Sequence, residues 1–312
     1  LEPAPPAPEK GWAHRLLGPL HVTGIFWYRF HRWGVSVLPD WGVLLFVAIF
    51  TTFFFVALRR IRRAIAANLV AVLGPARWLE RQARIYRTMW SFAWCLSERY
   101  ERLSTRRPFA VEAEGLDIWN AALATGKPIL LLTAHVGNFE VGSMLPAVRG
   151  ERHIHVVREQ EGDRRAQAFI ERLIRGLDQP GYTVHFENDD PLHGVPLVEV
   201  LQGNGVVALQ GDRPRAGSRT VSVTLFDRPI PMPAGPAALA RATGAIIVPV
   251  FVLRVARRRY RACFRPAFSV GQGSDRRRQL VDAVQRFASE AAWAIREEPF
   301  QWFCFRTLWP ER

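Results

Sequence analysis

The sequence predicts an α/β protein in which helices cover both faces of a mixed central sheet, with a membrane helix near the N-terminus. Two patterns predict this fold class. From about residue 111 onward, short apolar runs of strand type alternate with amphipathic helical segments. Before them lies one long uncharged stretch, Trp41–Leu58. The chain has 312 residues, of which 49% are hydrophobic, so it can bury a large core.

The uncharged stretch has the composition of a membrane helix. Its eighteen residues are at the short end of what spans a hydrocarbon core, which takes about 20. Aromatic residues precede it and arginines follow it, as at the two interfaces of a membrane: Trp27, Tyr28, Trp33 and Trp41 on one side, Arg59, Arg60, Arg62 and Arg63 on the other. The alternatives are a helix that lies in the membrane surface and a buried core helix. If it spans, the arginines place the rest of the chain on the cytoplasmic side.

The chain therefore divides into three predicted regions. Residues 1–38 form an N-terminal segment, Pro- and Ala-rich and disordered at its start and interfacial in its remainder. Residues 39–58 are the membrane helix, and residues 59–312 are the catalytic domain. The elements predicted for that domain are, in order, a helical region from Arg59 to about Leu103, helix Leu116–Thr125, strand Ile129–Leu132, a helix from Phe139 toward Val148, strand Ile154–Val157, helix Asp163–Asp178, strand Thr183–Glu187, helix Leu192–Leu201, strands Val206–Gln210, Val221–Phe226, Ile246–Leu253 and Tyr260–Phe268, and helix Arg276–Glu297.

Local residues explain where these elements begin and end. Gly74-Pro75 breaks the first helical region, and Gly126 ends the helix before the central strand. Helix Asp163–Asp178 is predicted from apolar residues that share one face, among them Phe169 and Leu173. The strands are short, apolar and bounded by glycine or polar residues.

The formal net charge of +14 comes almost entirely from arginine, since Lys10 and Lys127 are the only lysines. Such a surface suits phosphates, either of nucleic acid or of anionic lipid headgroups. No recognised nucleic-acid motif accompanies it, so we expect no nucleic-acid partner. The three cysteines have no disulfide or zinc spacing, and the alternating His153 and His155 favour a strand-edge pair over a metal site. No metal or redox cofactor is expected.

A histidine follows the central strand, and a carboxylate follows the histidine. Strand Ile129–Leu132 leads to His135, with Gly137-Asn138 to turn the chain and Glu140 five positions after the histidine. In open α/β sheets, ligands bind at the carboxyl edge, where this imidazole would lie. Glu140, in the first turn of the next helix, would accept a hydrogen bond from a ring N–H of His135 and so orient the histidine as a general base. The alternative is a histidine that only caps a helix.

Further polar residues follow neighbouring strands. Arg158 follows strand Ile154–Val157, and Asp212-Arg213 follows strand Val206–Gln210. Arginine at such a position suits bidentate binding of phosphate, although Asp212 and Arg213 could equally form a structural ion pair in a turn. The backbone amides of Gly137 and Asn138 are candidates for binding an oxyanion. The segment Pro231–Pro236 opens a helix whose free amides could receive an anion, or it is simply a Pro-rich turn.

Taken in order, these motifs resemble the bacterial lysophospholipid acyltransferase superfamily, and most closely its branch of lipid A late acyltransferases, the lauroyl and myristoyl transferases. The resemblance spans roughly residues 25–310. The residues that carry it are His135-x4-Glu140, Arg158, Gly211-Asp212-Arg213-Pro214, Pro233-Ala234-Gly235-Pro236, Val248-Pro249-Val250-Phe251, the stretch Arg60–Pro75, and Gln301-Trp302 with Trp309 near the end.

The resemblance implies an enzyme of the bacterial inner membrane that moves a fatty acyl chain from an acyl thioester to a lipid hydroxyl. Acyl carrier protein or coenzyme A would deliver the chain, and a lipid A precursor or another glycolipid would accept it. His135 would be the general base and Glu140 its orienting acid, while Arg158 and Arg213, together with Asp212, would contact phosphate-bearing substrate. Relatives on this scaffold acylate lipid A precursors, mannosylated phosphatidylinositol, ornithine lipids or pigment-like lipids, so the acceptor stays open.

Two other functions remain as alternatives. A hydrolase would use the same histidine and glutamate to activate water. A basic membrane scaffold or nucleic-acid binder would depend on charge alone. No serine or cysteine lies in a nucleophile elbow, so a covalent acyl-enzyme is not indicated. The sequence says nothing of oligomeric state.

Overall fold

A computed structural model describes residues 2–3, 25–105, 107, 109–139, 152–161, 163–176, 181–187, 195–215 and 217–309. Four helices precede the main sheet: α1 (Ile25–Val37), α2 (Asp40–Ala57), α3 (Arg59–Leu73) and α4 (Trp78–Ser104). Gly74, with φ 74°, ends α3, which confirms the predicted break of the helical region. Helix α6 (Arg164–Arg175) packs beside α1 and α4 through the buried Ile170 and Leu173.

Helix α2 corresponds to the predicted membrane helix. One of its faces packs on the other N-terminal helices through the buried Val43 and Val47. The opposite face is bare, because Leu45, Ile49 and Phe53 are each more than half exposed. It is the one helix of the described chain that is long and apolar enough to cross a membrane, and only 22% of it is buried. This exposure argues against the alternative of a buried core helix.

An eight-stranded mixed sheet forms the centre of the protein. Its strands are β2 (Ala110–Glu114), β3 (Ile129–Thr133), β4 (Ile154–Glu159), β5 (Tyr182–Glu187), β6 (Val206–Gln210), β9 (Ile246–Ala256), β10 (Arg259–Phe264) and β11 (Phe268–Ser269). Their order across the sheet is β2, β10, β9, β3, β6, β4, β5, and β11 pairs with β9 outside this path. The five strands from β9 to β5 run parallel, whereas β10 is antiparallel to β9.

Both faces of the central strands are buried, as expected of parallel strands. Leu130 and Leu132 of β3 point into a core that is covered by helices α7 (Val195–Gln202), α8 (Gly235–Thr243) and α9 (Arg276–Glu297). Ile129 and Leu131 point to the other face, where Trp119 of helix α5 (Leu116–Ala124) packs. A mixed sheet covered by helices on both faces is the predicted fold class, which is therefore confirmed.

The strands that follow β6 differ in part from their predictions. A small sheet contains β1 (Glu2–Pro3), β7 (Arg219–Leu225) and β8 (Arg228–Pro233), so Pro231 and Pro233 belong to a strand that was not predicted. Prolines are tolerated there because β8 lies at the edge of its sheet and needs no donor on its outer side. Strand β10 ends at Phe264 and not at Phe268 as predicted, because Pro266 has no backbone N–H to donate to a neighbouring strand. The long helix Arg276–Glu297 begins and ends as predicted.

Candidate active site

His135 lies at the carboxyl edge of the sheet, two residues after β3 ends at Thr133. Its backbone is held on both sides: its amide donates to Asp212 Oδ2 at 3.1 Å, and its carbonyl accepts from the Phe303 amide at 3.0 Å. The Phe139 ring meets the imidazole edge-on, with 5.5 Å between centroids. These contacts hold the imidazole with its side chain partly open to solvent.

The carboxylate that contacts this imidazole is Asp212. Its Oδ1 lies 2.7 Å from His135 Nδ1. The pair forms because β3 and β6 are adjacent and parallel, with Thr133 opposite Gln210, so both side chains emerge from the same edge two residues further on. With Nδ1 bonded to a carboxylate, the proton stays on Nδ1 and Nε2 is the nitrogen left to act as a base.

Asp212 remains ionised because of this pair. Burial by itself raises the pKa of Asp212, but the His135 charge, its hydrogen bonds and the nearby Arg213 outweigh burial and lower the pKa from 3.8 to about 2. The carboxylate is therefore charged at any pH at which an imidazole can accept a proton. The predicted orienting acid, Glu140, lies outside the described residues, so its role stays a prediction.

The backbone amides of Gly137 and Asn138 do not fit the oxyanion role predicted for them. The Gly137 amide donates to the Gln301 carbonyl at 2.9 Å, and the Asn138 amide donates to the Val252 carbonyl at 2.7 Å. Both donors are thus already used. Gly137 is glycine for a structural reason, since its φ is 68° and a Cβ would lie 2.1 Å from the Val252 oxygen. In this structure, these two amides are therefore not available to bind an oxyanion.

The Asn138 side chain is buried and anchors the loop to the interior. Its Nδ2 donates to the Cys95 carbonyl and to the Tyr260 hydroxyl, each at 3.0 Å. Tyr260 in turn donates to the fully buried Glu98, which also accepts two bonds from Arg254, at 3.0 and 3.1 Å. A buried charge of this kind is tolerated because it is paired and fully hydrogen-bonded. Asn138 is therefore a structural residue of the site.

A cavity of about 270 Å³ opens beside His135 along the sheet face that carries Leu131. Its walls are mostly apolar, and its polar residues lie toward the carboxyl edge. Strand register places Arg158, Gln210 and Thr133 at that edge, with Val156, Ala208 and Leu131 one layer deeper. The lining residues are Leu131, Thr133, His135, Phe139, Ile154, Val156, Val157, Arg158, Glu159, Ala208, Leu209, Gln210, Val250 and Val252.

The two arginines predicted to bind phosphate, Arg158 and Arg213, point in different directions. Arg158 lines the cavity with His135, because β4 is parallel to β6 and ends at the same edge. Arg213 is turned toward the protein: its Nη2 donates to the Phe303 carbonyl, and its Nε lies 3.8 Å from Asp212 Oδ2. Asp212 and Arg213 thus form the ion pair that was the alternative to phosphate binding. The second predicted anion site, the helix start at Pro231–Pro236, contributes no residue to the cavity.

Two polar side chains at the mouth of the cavity were missed by the sequence analysis. Thr133 Oγ1 and Gln210 Nε2 are buried, and neither has a hydrogen-bond partner in the described part of the chain. They lie on adjacent strands, opposite one another in register. A buried polar atom without a partner is costly unless a ligand satisfies it. The signal in the sequence was a polar residue at the last position of each apolar strand.

The predicted strand-edge pair of histidines lies away from this cavity. His153 and His155 are on β4, with ring centroids 4.7 Å apart, and His155 Nδ1 lies 2.8 Å from His185 Nε2 on β5. Burial and the two neighbouring imidazoles lower the pKa of His155. Among the described residues, no group of three or more candidate ligands is arranged to hold a metal ion.

Comparisons with known proteins identify the family of the chain. Residues 14–311 match the model of the family described as bacterial lipid A biosynthesis acyltransferase. The phosphatidylinositol mannoside acyltransferases of two strains of Mycobacterium tuberculosis are 32% identical over 146 residues, which is 43% of this chain and 42% of theirs. The match thus spans less than half the length of these relatives. The 1-acyl-sn-glycerophosphate acyltransferase PlsC of Thermotoga maritima aligns over 80% of this chain and 95% of its own, at 11% identity and a TM-score of 0.35.

Proposed function

Because the chain belongs to the family of bacterial lipid A biosynthesis acyltransferases and is an acyltransferase, we propose that it moves a fatty acyl chain from an acyl thioester to a hydroxyl of a lipid or glycolipid. His135 is the general base in this proposal. The observation that carries it is the His135–Asp212 pair, with 2.7 Å between Nδ1 and Oδ1, at the mouth of an apolar cavity. A base beside an apolar cavity is what acyl transfer to a hydroxyl requires.

The proposed reaction needs no covalent enzyme intermediate. His135 Nε2 takes the proton of the acceptor hydroxyl as the hydroxyl oxygen attacks the thioester carbonyl carbon. The carbonyl π electrons move to oxygen and form a tetrahedral oxyanion. When the oxyanion collapses, the carbon–sulfur bond breaks, and the imidazolium returns its proton to the leaving thiolate. Asp212 stabilises the imidazolium between these two steps.

We assign the oxyanion to the two unpartnered polar atoms at the cavity mouth. Gln210 Nε2 is an amide donor and Thr133 Oγ1 is a hydroxyl donor, and both are buried without a partner in the described chain. Donors that are already desolvated stabilise developing charge more strongly than donors in water. They replace the backbone amides of Gly137 and Asn138, which donate to protein carbonyls.

The cavity is the proposed site of the acyl chain. Its deeper walls are apolar, among them Leu131, Val156 and Val250. Each methylene buried there contributes about 0.8 kcal/mol, so the depth of the cavity selects the length of the chain. The donor is acyl carrier protein or coenzyme A, whose thioester would lie at the mouth beside His135.

Of the two arginines at the edge of the sheet, Arg158 is proposed to contact the phosphate of a substrate. Arg158 lines the cavity and is only partly buried, which suits a direct contact. Arg213 is engaged with Asp212 and the Phe303 carbonyl, so we assign it mainly to holding Asp212 in place. Phosphate recognition fits a phosphorylated glycolipid acceptor, and phosphatidylinositol mannoside, after which the mycobacterial relatives are named, is of that chemical class.

We propose that the protein works at the bacterial inner membrane with its catalytic domain in the cytoplasm. Helix α2 offers a bare apolar face, and Arg59, Arg60, Arg62 and Arg63 follow it directly. Lysine and arginine next to a membrane helix mark its cytoplasmic end. Attachment to the membrane brings a water-insoluble acceptor to the base.

Mass spectrometry of total lipids tests the proposal. Cells with the gene, without it, and with His135→Ala are compared, with the wild-type and variant proteins at the same level. We expect one lipid to lack a single acyl chain in both the deletion and the variant, which also identifies the acceptor and the chain length. Near-normal acylation by His135→Ala would contradict the proposal. With purified protein, free fatty acid released at equal rates with and without acceptor would indicate the alternative, a hydrolase that uses His135 to activate water.

A further inference from the structure

A second cavity lies between helices α3 and α4, directly after the proposed membrane helix. Its volume is about 550 Å³, and it shares no lining residue with the catalytic cavity. We call it the basic groove. It is lined by Arg59, Arg62, Arg63, Ala66, Ala67, Val70, Arg81, Gln82, Ile85 and Thr307.

The shape of the groove follows from the helix period. Arg59, Arg62, Arg63, Ala66 and Val70 recur at three- and four-residue spacing, so they lie along one side of α3. The arginines occupy the turn nearest to α2, and alanines occupy the next turn. Small side chains at that turn leave the space that the groove occupies. The opposite wall is α4, which contributes Arg81, Gln82 and Ile85.

The four arginines of the groove have no acidic partner in the part of the chain that the structure describes. Within the described residues, none of them forms a salt bridge, and no acidic residue lines the groove. The neighbouring Arg84 differs, since it pairs with Glu80. Arg62 stacks over Phe55 of α2, with 5.0 Å between its Cζ and the ring centroid, while its buried Nε has no hydrogen-bond partner among the described residues. Four adjacent guanidinium groups with a buried unused donor form a site for an anion.

The surroundings of the groove indicate where the anion comes from. Only Leu58 separates Arg59 from the end of α2, so the groove lies at the headgroup level if α2 is in the membrane. A smaller cavity of about 160 Å³ adjoins it, shares Ala66, Val70 and Arg81, and adds the apolar walls Leu69 and Pro75. Trp78 and Leu79, at the start of α4, are exposed. A ligand with a phosphate head and an apolar tail matches both parts.

We propose that the basic groove binds the phosphate headgroup of an anionic membrane phospholipid, which is distinct from the acceptor at His135. This inference rests on the proposed membrane attachment and not on the acyl-transfer reaction. Thr307 closes the groove, and it belongs to the same segment as Phe303, whose amide donates to the His135 carbonyl. A lipid bound in the groove therefore also supports the segment that holds the catalytic histidine.

Native mass spectrometry of the full chain in detergent tests the site. Phosphatidylglycerol is added as the probe, with phosphatidylcholine of the same acyl chains for comparison. We expect one retained phosphatidylglycerol, with at least about tenfold weaker binding in Arg63→Gln/Arg81→Gln, because each charged hydrogen bond contributes about tenfold or more. The matched control is Arg60→Gln/Arg77→Gln, which removes the same charge from exposed positions outside the groove and should change binding less than about twofold.

Several outcomes would overturn the inference. An equal loss in the control variant would indicate non-specific attraction to charge, and unchanged binding in the groove variant would remove the site. Displacement of the lipid by millimolar inorganic phosphate would identify a site for soluble phosphate. Binding of acidic acyl carrier protein that is lost only in the groove variant, with lipid binding retained, would assign the groove to that protein. Loss of transfer by His135→Ala with the lipid adduct retained separates this inference from the proposed reaction.

Discussion

At the residue scale, His135 and Asp212 are joined by two contacts rather than one. Asp212 accepts from the backbone amide of His135 and from its Nδ1, so the carboxylate orients both the main chain and the ring. Arg213 lies against the same carboxylate, at 3.8 Å from Nε to Oδ2. Because the carboxylate is almost fully buried, each of these contacts acts in a medium of low dielectric constant.

The substitution Asp212→Asn tests the orienting role of the carboxylate. We expect kcat to fall about a hundredfold or more with little change in KM, since an amide neither stabilises the imidazolium nor favours the reactive tautomer. Steady-state kinetics with purified protein measures this, with the exposed Asp282→Asn as the control. A variant with kcat within threefold of wild type would show that another group orients His135.

The same carboxylate predicts a pH dependence of stability. The pKa of Asp212 is lower in the folded protein, about 2, than its ordinary value of 3.8. A depressed acid stabilises the fold above its ordinary pKa, and this contribution is lost as the pH falls from about 4 to about 2. The contribution is about 2 kcal/mol. Wild type should therefore lose more thermal stability than Asp212→Asn over this range, and parallel curves would contradict the assignment.

Gln210 provides the test of the oxyanion site. Gln210→Leu keeps the approximate volume of the side chain but removes the buried donor, so we expect kcat to fall about tenfold to a thousandfold with both KM values nearly unchanged. The control is Gln202→Leu, at an exposed position near the end of α7. If Gln210→Leu raised KM and left kcat intact, the side chain would bind substrate rather than the transition state.

At the element scale, parallel register decides which side chains share the site. Strands β3, β6 and β4 end at one edge, which brings His135, the Asp212-Arg213 pair and Arg158 together from three separate parts of the chain. Near the end of a strand, a side chain points into the cavity or away from it according to its place in the alternation. Arg158 lies two positions after Val156, which is opposite Ala208 of β6, and it lines the cavity, whereas Arg213 follows β6 and turns to Phe303.

This difference predicts distinct kinetics for the two arginines. Arg158→Ala should raise the apparent KM for a phosphorylated acceptor about tenfold with kcat nearly unchanged, because the contact that it makes in the proposed complex is to the phosphate of the acceptor. Arg213→Ala should lower kcat as well, since it removes a neighbour of Asp212. Steady-state kinetics with the phosphorylated acceptor and a neutral analogue separates these effects. An equal loss for Arg158→Ala with both acceptors would count against phosphate binding.

At the scale of the whole molecule, contacts of the N-terminal helices join α2, the proposed membrane helix, to the central sheet. Asp40, at the start of α2, bonds to Arg257 at 2.8 Å and to Arg258 at 3.1 Å in the turn between β9 and β10. Asn68 of α3 donates to the carbonyls of Cys304 and Arg306, next to the segment that holds His135. These contacts fix the bare face of α2 relative to the candidate site, so the cavity would keep one orientation toward a membrane that α2 enters in the proposed attachment.

Charge on the bare face of α2 tests membrane attachment. Ile49→Lys/Phe53→Lys should move the protein from the membrane to the soluble fraction, since lysine near the centre of a membrane helix costs about 3 kcal/mol. Fractionation followed by immunoblotting measures the distribution. Leu116→Lys/Val255→Lys changes two exposed apolar residues of the catalytic domain and should stay with the membrane. If the Ile49/Phe53 variant remained membrane-bound and active, α2 would not be the attachment.

What the sequence determined by itself is local. The apolar run of α2, the strand that ends before His135, the break at Gly74 and the helix Arg276–Glu297 all follow from periodicity and from turn residues within a few positions. These features depend on short-range sterics and on which side chains avoid water, and a single segment contains that information. The family resemblance rests on the order of such segments.

The tertiary structure decided which residues meet. Asp212 is 77 positions from His135 and reaches it only because β6 lies beside β3 in parallel register, which no local pattern encodes. The same packing uses the amides of Gly137 and Asn138 for internal hydrogen bonds and leaves Gln210 Nε2 and Thr133 Oγ1 without a hydrogen-bond partner among the described residues. Local residues therefore placed the proposed base at the edge of the sheet, whereas its carboxylate partner, the proposed oxyanion donors and the basic groove depend on long-range contacts between elements.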